Sequence, residues 1–436
     1  MSRLKNWVRS KASKLGNEPP HNPPPERSPS PRPTLQTPFF TPSNLPWTDA
    51  NLNPSNYGFF AILPRELRRQ ILVDAFGGQT LHIDLSYRHP LVRRTSPSST
   101  PATSGRRHCD LFSGLVPDHS SPKKWQWFGC VCHRRGDYFQ SESEQRYAAG
   151  QVLQTVEPCD DDCLEASQSV CICPAGEGNS SCFVGVMGWL LSCQEAYVEG
   201  IDVLYGANTF HISSLDLQLR LPELIPPDHL ARITSLELLL KLNDINQGRT
   251  AKNHAKDLWQ DAPRPIDSPL HTLRASIPEN FPHLRRLYIS FQCHLDPPLG
   301  RGGVHDDIIS EVETIFLGPV EDMVRILHHM AGPEVEINIA IQRGAWQVLL
   351  AKYMTLLGTG LKAESADLVM RGRFWKALSP ATARTLASGE NEAADAEGKE
   401  EPGYWICAGW DDMNQHHDYW ISSNWGVKWA DVGTTF

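Results

Sequence analysis

The sequence predicts a mixed α+β to α/β fold, in which helices pack on a mixed, partly parallel sheet with short helices. A disordered N-terminal tail precedes this fold and an irregular Cys-rich insertion interrupts it. Two observations predict the layers. "FFAILPRELRRQILVDAF" and "WLLSCQEAYVEGIDVLYG" each carry apolar residues at helical spacing, and each runs directly into a strand-like stretch, "TLHIDL" and "NTFHI". Beyond residue 230, apolar runs of strand length alternate with helical patterns, the order expected of an α/β layer. A third observation marks what lies outside the layers: the Pro/Ser-rich and Cys-rich stretches follow neither period.

Residues 1–56 open with five basic residues (Arg3, Lys5, Arg9, Lys11, Lys14) and continue as "EPPHNPPPERSPSPRPT". Such a composition buries too little surface to offset its ordering entropy, so a disordered basic and Pro/Ser-rich segment is expected. The folded domain spans 57–378. In its first helix Leu63, Leu67, Ile71 and Leu72 share a face, Pro64 suits the first turn, and Gly77 and Gly78 close the end. An insertion at about 88–184 follows the first strand and holds eight of the eleven cysteines. Within it "KKWQWFGCVCHR" alternates like a strand.

The second helix has Val186, Leu190, Cys193, Tyr197, Ile201 and Leu204 at gaps of four, three, four, four and three, one continuous stripe ending near Gly206. "ARITSLELLLKL", "FPHLRRLYISF" and "VEINIAI" read as strands. Leu236 and Leu287 hold equivalent places 51 residues apart. "SEVETIFLGPVEDMVRILHHM" and "GAWQVLLAKYMTLLG" read as helices, the first broken at Pro319. Residues 379–402 are acidic and Ala-rich, an expected flexible loop. The segment 403–436 holds five of the thirteen tryptophans and is expected to pack on the domain as edge strands.

Composition excludes several functions. A formal charge of −9 gives no basic nucleic-acid footprint. No run approaches a transmembrane segment, and no signal-peptide core stands near the start. The expected location is therefore cytoplasmic or nuclear, with thiols reduced. No G-x-S-x-G, H-E-x-x-H, Walker A or Rossmann pattern is present, so no catalytic residue and no organic cofactor are assigned, and an enzyme with no recognisable local motif stays an alternative reading beside a zinc-stabilised module. The insertion offers Cys130, Cys132, His133, Cys159, Cys163, Cys171 and Cys173 as soft ligands for a zinc ion, although none of these pairs has the knuckle spacing. Unligated, partly buried cysteines are the other reading of the same residues.

"LPRELRRQILVDAF" resembles the opening helix of the F-box. "LLSCQEAYVEGIDVLYGANTF" is similar to a block found downstream of it in filamentous-fungal F-box-like proteins of unknown function. Leu191, Cys193, Gln194, Tyr197, Glu199, Leu204, Tyr205, Asn208, Thr209 and Phe210 carry that likeness, which spans about Phe59 to Ile341. The resemblance implies a non-enzymatic protein-interaction protein. A true F-box binds the small adaptor subunit of cullin–RING ubiquitin ligases, so it also implies Leu63, Pro64, Leu67 and Ile71 as partner-binding residues. The competing reading of these four is a core contact with the "SCQEAYVEGIDVLY" helix.

Overall fold

The computed structural model describes residues 31–32, 58–93, 115–132, 158, 184–241, 269–292, 313, 317–332, 334–367, 371–378 and 402–409. By its contacts the chain divides into Met1–Thr34 and Leu35–Phe436, and every element below belongs to the second unit. The expected basic tail, most of the Cys-rich stretch, the acidic loop and the tryptophans beyond Trp405 lie outside the described residues.

In chain order the elements are α1 (Gly58–Ile62), α2 (Arg65–Phe76), β1 (Thr80–Arg88), β2 (Leu91–Arg93), β3 (Leu115–Pro117), β4 (Lys124–Val131), α3 (Met187–Leu190), α4 (Gln194–Gly206) and β5 (Thr209–Ile212). They continue with α5 (Leu215–Leu224), α6 (Pro227–Leu230), β6 (Ser235–Lys241), α7 (Pro269–Asn280), β7 (Arg286–Gln292), α8 (Gly318–Ala331), β8 (Glu336–Ile341) and α9 (Arg343–Leu357). The chain closes with β9 (Ala363–Asp367), β10 (Arg371–Ala377) and β11 (Gly403–Ala408).

Nine strands form one mixed sheet in the order β4-β1-β5-β6-β7-β8-β11-β10-β9, and β2 pairs with β3 separately. Six neighbouring strands, β1, β5, β6, β7, β8 and β11, run parallel. β4 closes one side antiparallel, and β10 with β9 the other. From β1 to β8 the spatial order of the parallel strands follows the chain, so each crossover advances one step the same way. With a constant crossover hand, that progression places the connecting helices on a single face.

The side chains agree. Leu81, Phe210, Leu236, Leu287 and Ile337 pair strand to strand and all lie in one core with Leu217, Ile277, Val324 and Trp346 from the helices. On the other face, in register, stand Cys130, His82, His211, Glu237, Tyr288, Asn338, Trp405 and Trp375. Strand alternation therefore separates an aliphatic face from a polar and aromatic one.

Four expectations are corrected. The second helix is not continuous: Leu191–Cys193 break it, and Cys193 takes an extended conformation (φ −163°, ψ 170°) as N-cap of α4, accepting from Ala196 N at 3.4 Å. Its buried face is Ala196, Glu199, Gly200, Ile201 and Val203, while Tyr197 is exposed. The cause is packing. α3 folds over α4 at Gly200, where a Cβ would stand 2.7 Å from Leu190 Cδ2 and 2.8 Å from Trp189 Cδ1.

Second, α2 buries Arg68, Leu72 and Phe76, an i, i+4, i+8 row, and turns Leu67 and Ile71 outward. Third, Pro319 stands in the first turn of α8 and starts that helix, where its missing N–H costs nothing. Fourth, β11 lies inside the sheet between β8 and β10, not at an edge. The strand from the insertion, β4, likewise joins the main sheet beside β1.

Candidate functional site

The helical start of the domain presents apolar side chains to solvent over a polar clamp. Pro64 caps α2 and is exposed, and Leu63 just before it is half-buried. One turn on, Leu67 is 53% exposed and Ile71 44%, with Ile62 of α1 at 76%. Leu67 and Ile71 are four residues apart, so they form one stripe along the flank of α2.

Behind that flank the helix is fixed by Arg68. Its Nε donates to Glu199 Oε2 at 3.0 Å and Oε1 at 3.2 Å, and its Nη2 to Oε1 at 2.5 Å. Its Nη1 donates to Leu63 O at 2.7 Å and Phe60 O at 3.2 Å, closing the α1–α2 turn. Both charged side chains are 9% exposed, and Glu195 stands 3.8 Å from the guanidinium. The hydrogen bonds to Glu199 hold Arg68 still further into its charged form, against the cost of burial. Around this ion pair, Leu72, Phe76, Val186, Leu190, Ile201 and Val203 form a small core of their own. Phe59 and Phe60 meet the Trp189 ring at 5.3 and 5.7 Å.

Asn208 fastens the other end. Its Nδ2 donates to Phe76 O at 2.9 Å and Leu204 O at 3.0 Å, and its Oδ1 accepts from Gln79 N at 2.9 Å. One buried amide thus satisfies the carbonyl ends of both α2 and α4. Gly78, at φ +66°, makes the turn there and donates its N–H to Ala207 O at 2.9 Å. Tyr205 stacks on Phe210 at 5.4 Å, which ties α4 to the first strands of the main core.

Two of the expected zinc ligands are described. Cys130 on β4, the register partner of His82, and Cys132 just past the end of β4 are buried and touch each other. His133, Cys159, Cys163, Cys171 and Cys173 lie outside the described residues. Among the described residues no group of three His, Cys, Asp or Glu side chains could hold a metal ion. Nor, among them, is any helix long and apolar enough to cross a membrane.

Sequence reasoning missed Arg68, Glu199 and Asn208 as a clamp. The available signal was that Arg68 precedes Leu72 and Phe76 at helical spacing. It also missed the polar sheet row, where His211 Nδ1 lies 2.8 Å from Glu237 Oε2 and the His82 and His211 rings meet at 4.4 Å. There the signal was "TLHIDL", which alternates His82 and Asp84 with aliphatic residues. Burial pushes the Asp84 carboxyl up, although Ser213 Oγ and Ser214 N donate to it at 2.5 and 2.6 Å.

The model of a domain of unknown function, DUF7730, matches residues 139–275. That span contains α3, α4, β5, α5, α6 and β6, and ends within α7, while α1, α2 and β1 precede it. No curated protein and no solved structure matches the chain.

Proposed function

We propose that this is a non-enzymatic protein-interaction protein that docks a partner on the α1–α2 flank through Leu63, Pro64, Leu67 and Ile71. The observation that carries this reading is the exposure of Leu67 and Ile71 on a helix whose opposite face is anchored by Arg68. An apolar pair held rigid costs little further ordering when a partner covers it. Covering two half-exposed aliphatic side chains is worth roughly 2–3 kcal/mol in all.

A narrower reading, that the partner is the small adaptor subunit of cullin–RING ubiquitin ligases, is favoured by the placement of "LPRELRRQIL". That role needs its apolar residues accessible, and Leu67 and Ile71 are. The test is capture of the purified adaptor subunit, and of partners from cell extract, by the full chain with and without Leu67→Asp/Ile71→Asp. Capture should be lost in the double variant while its urea midpoint stays that of the parent. Partners retained equally by both chains would overturn the docking flank. Flank-dependent capture of other proteins, with none of the adaptor, would remove the narrower reading alone.

A further inference from the structure

Cys130 and Cys132 belong to β4 and its end, not to α1 or α2. Val131 between them packs into the main core, so alternation along the strand turns both neighbours to the opposite, polar face. The two residues touch, both are thiols, and they are 6% and 4% exposed. The strand ladder fixes their position: Cys132 N donates to Thr80 O at 2.8 Å, and Cys130 pairs with His82. Cross-strand partners on one face bring their Cβ atoms within about 5.5 Å, so His82 neighbours Cys130 across the ladder. His82 in turn packs against His211, which Glu237 orients.

Tetrahedral zinc needs four such ligands, and among the described residues no three lie close enough to share an ion. Two adjacent sulfurs suit a different class of metal. Soft thiolates select soft ions, and Cu(I) leads that class. We propose that Cys130 and Cys132 form a two-thiolate site for Cu(I), with His82 beside it. Binding breaks two S–H bonds and forms two Cu–S bonds. Two protons pass to the solvent, and no electron is transferred.

The test uses the full chain, reduced and kept anaerobic, titrated with Cu(I) against a chromogenic Cu(I) chelator. One equivalent should be withdrawn from the chelator by the parent, and that equivalent should be lost in Cys130→Ala/Cys132→Ala. The chain contains nine further cysteines, so location is read directly by native mass spectrometry. Fragmentation of the parent loaded with one equivalent should leave copper on fragments containing both Cys130 and Cys132. This second measurement needs no variant and stands if the double substitution fails to fold. Copper found on fragments lacking the pair, or an equivalent held as tightly by a folded double variant, would overturn the site.

Discussion

Replacing Glu199 with alanine removes the carboxylate that, among the described residues, meets the Arg68 guanidinium in hydrogen-bond geometry, at 2.5 to 3.2 Å. The guanidinium keeps its bonds to Leu63 O and Phe60 O, but its charge stays inside with its hydrogen-bonded carboxylate gone. Breaking a buried pair from one side costs about 3–5 kcal/mol. Glu195 at 3.8 Å supplies part of the missing charge, so the lower end, about 3 kcal/mol, is expected. That is roughly two decades in the folding equilibrium constant. Urea unfolding should show the midpoint fall with the slope unchanged. The companion variant Arg68→Met/Glu199→Leu fills the same space without charge and should recover most of the loss. A cost below about 1 kcal/mol for Glu199→Ala would place the pair with weak surface bridges. Equal losses in the single and double variants would also refute the reasoning, because packing and not charge would then hold the helices.

Asn208→Ala strands Phe76 O and Gln79 N without their partner and should lower stability by about 2 kcal/mol, read as a shift in Tm. Gly200→Ala drives a methyl into Leu190 and Trp189 and should cost about 1–3 kcal/mol in urea; a neutral result would mean that α3 can lift off α4. Burial, with the nearby charge of Arg232, pushes the His229 imidazole below its ordinary value of 6.5. Its contribution to stability is therefore full above pH 6.5 and is lost as pH falls from 6.5 to the folded value. A proton NMR titration of the His229 ring with its midpoint at or above 6.5 would contradict this.

The sheet was legible where one face of a strand is uniformly aliphatic. Leu236 and Leu287, equivalent by spacing, are register partners in adjacent parallel strands. "TLHIDL" and "NTFHI" are likewise neighbours, paired from Thr80–Thr209 to His82–His211. What the sequence concealed was rotation. The stripe through Cys193 and Tyr197 is a sound helical pattern, but the chain breaks between Leu190 and Gln194, and every later residue turns relative to it. Nothing local signals that break; it follows from Trp189 and Leu190 seating on Gly200. On α2 the error had a different origin. A buried arginine reads as a surface residue until its carboxylate, 131 residues away, is known. The strands β9 and β10 escaped notice because "AESAD" and "RGRFWKA" show little aliphatic alternation.

The separation between the two helices has a structural reason. β1 and β5 are adjacent and parallel, so the connection from one to the other returns to the end of the sheet at which β1 began. β4 is the described part of that connection that joins the sheet. The residues of the "CQEAYVEGIDVLYGANTF" block then have assignable tasks: Cys193 caps α4, Glu199 neutralises Arg68, Asn208 closes two helix ends, and Tyr205 and Phe210 stack at the core. The clamp occupies Arg68 and Glu199 and positions Leu67 and Ile71 on α2 without using their side chains. Their substitution should change what the protein binds and leave its folding alone, whereas substitution of Glu199 should disturb both binding and folding.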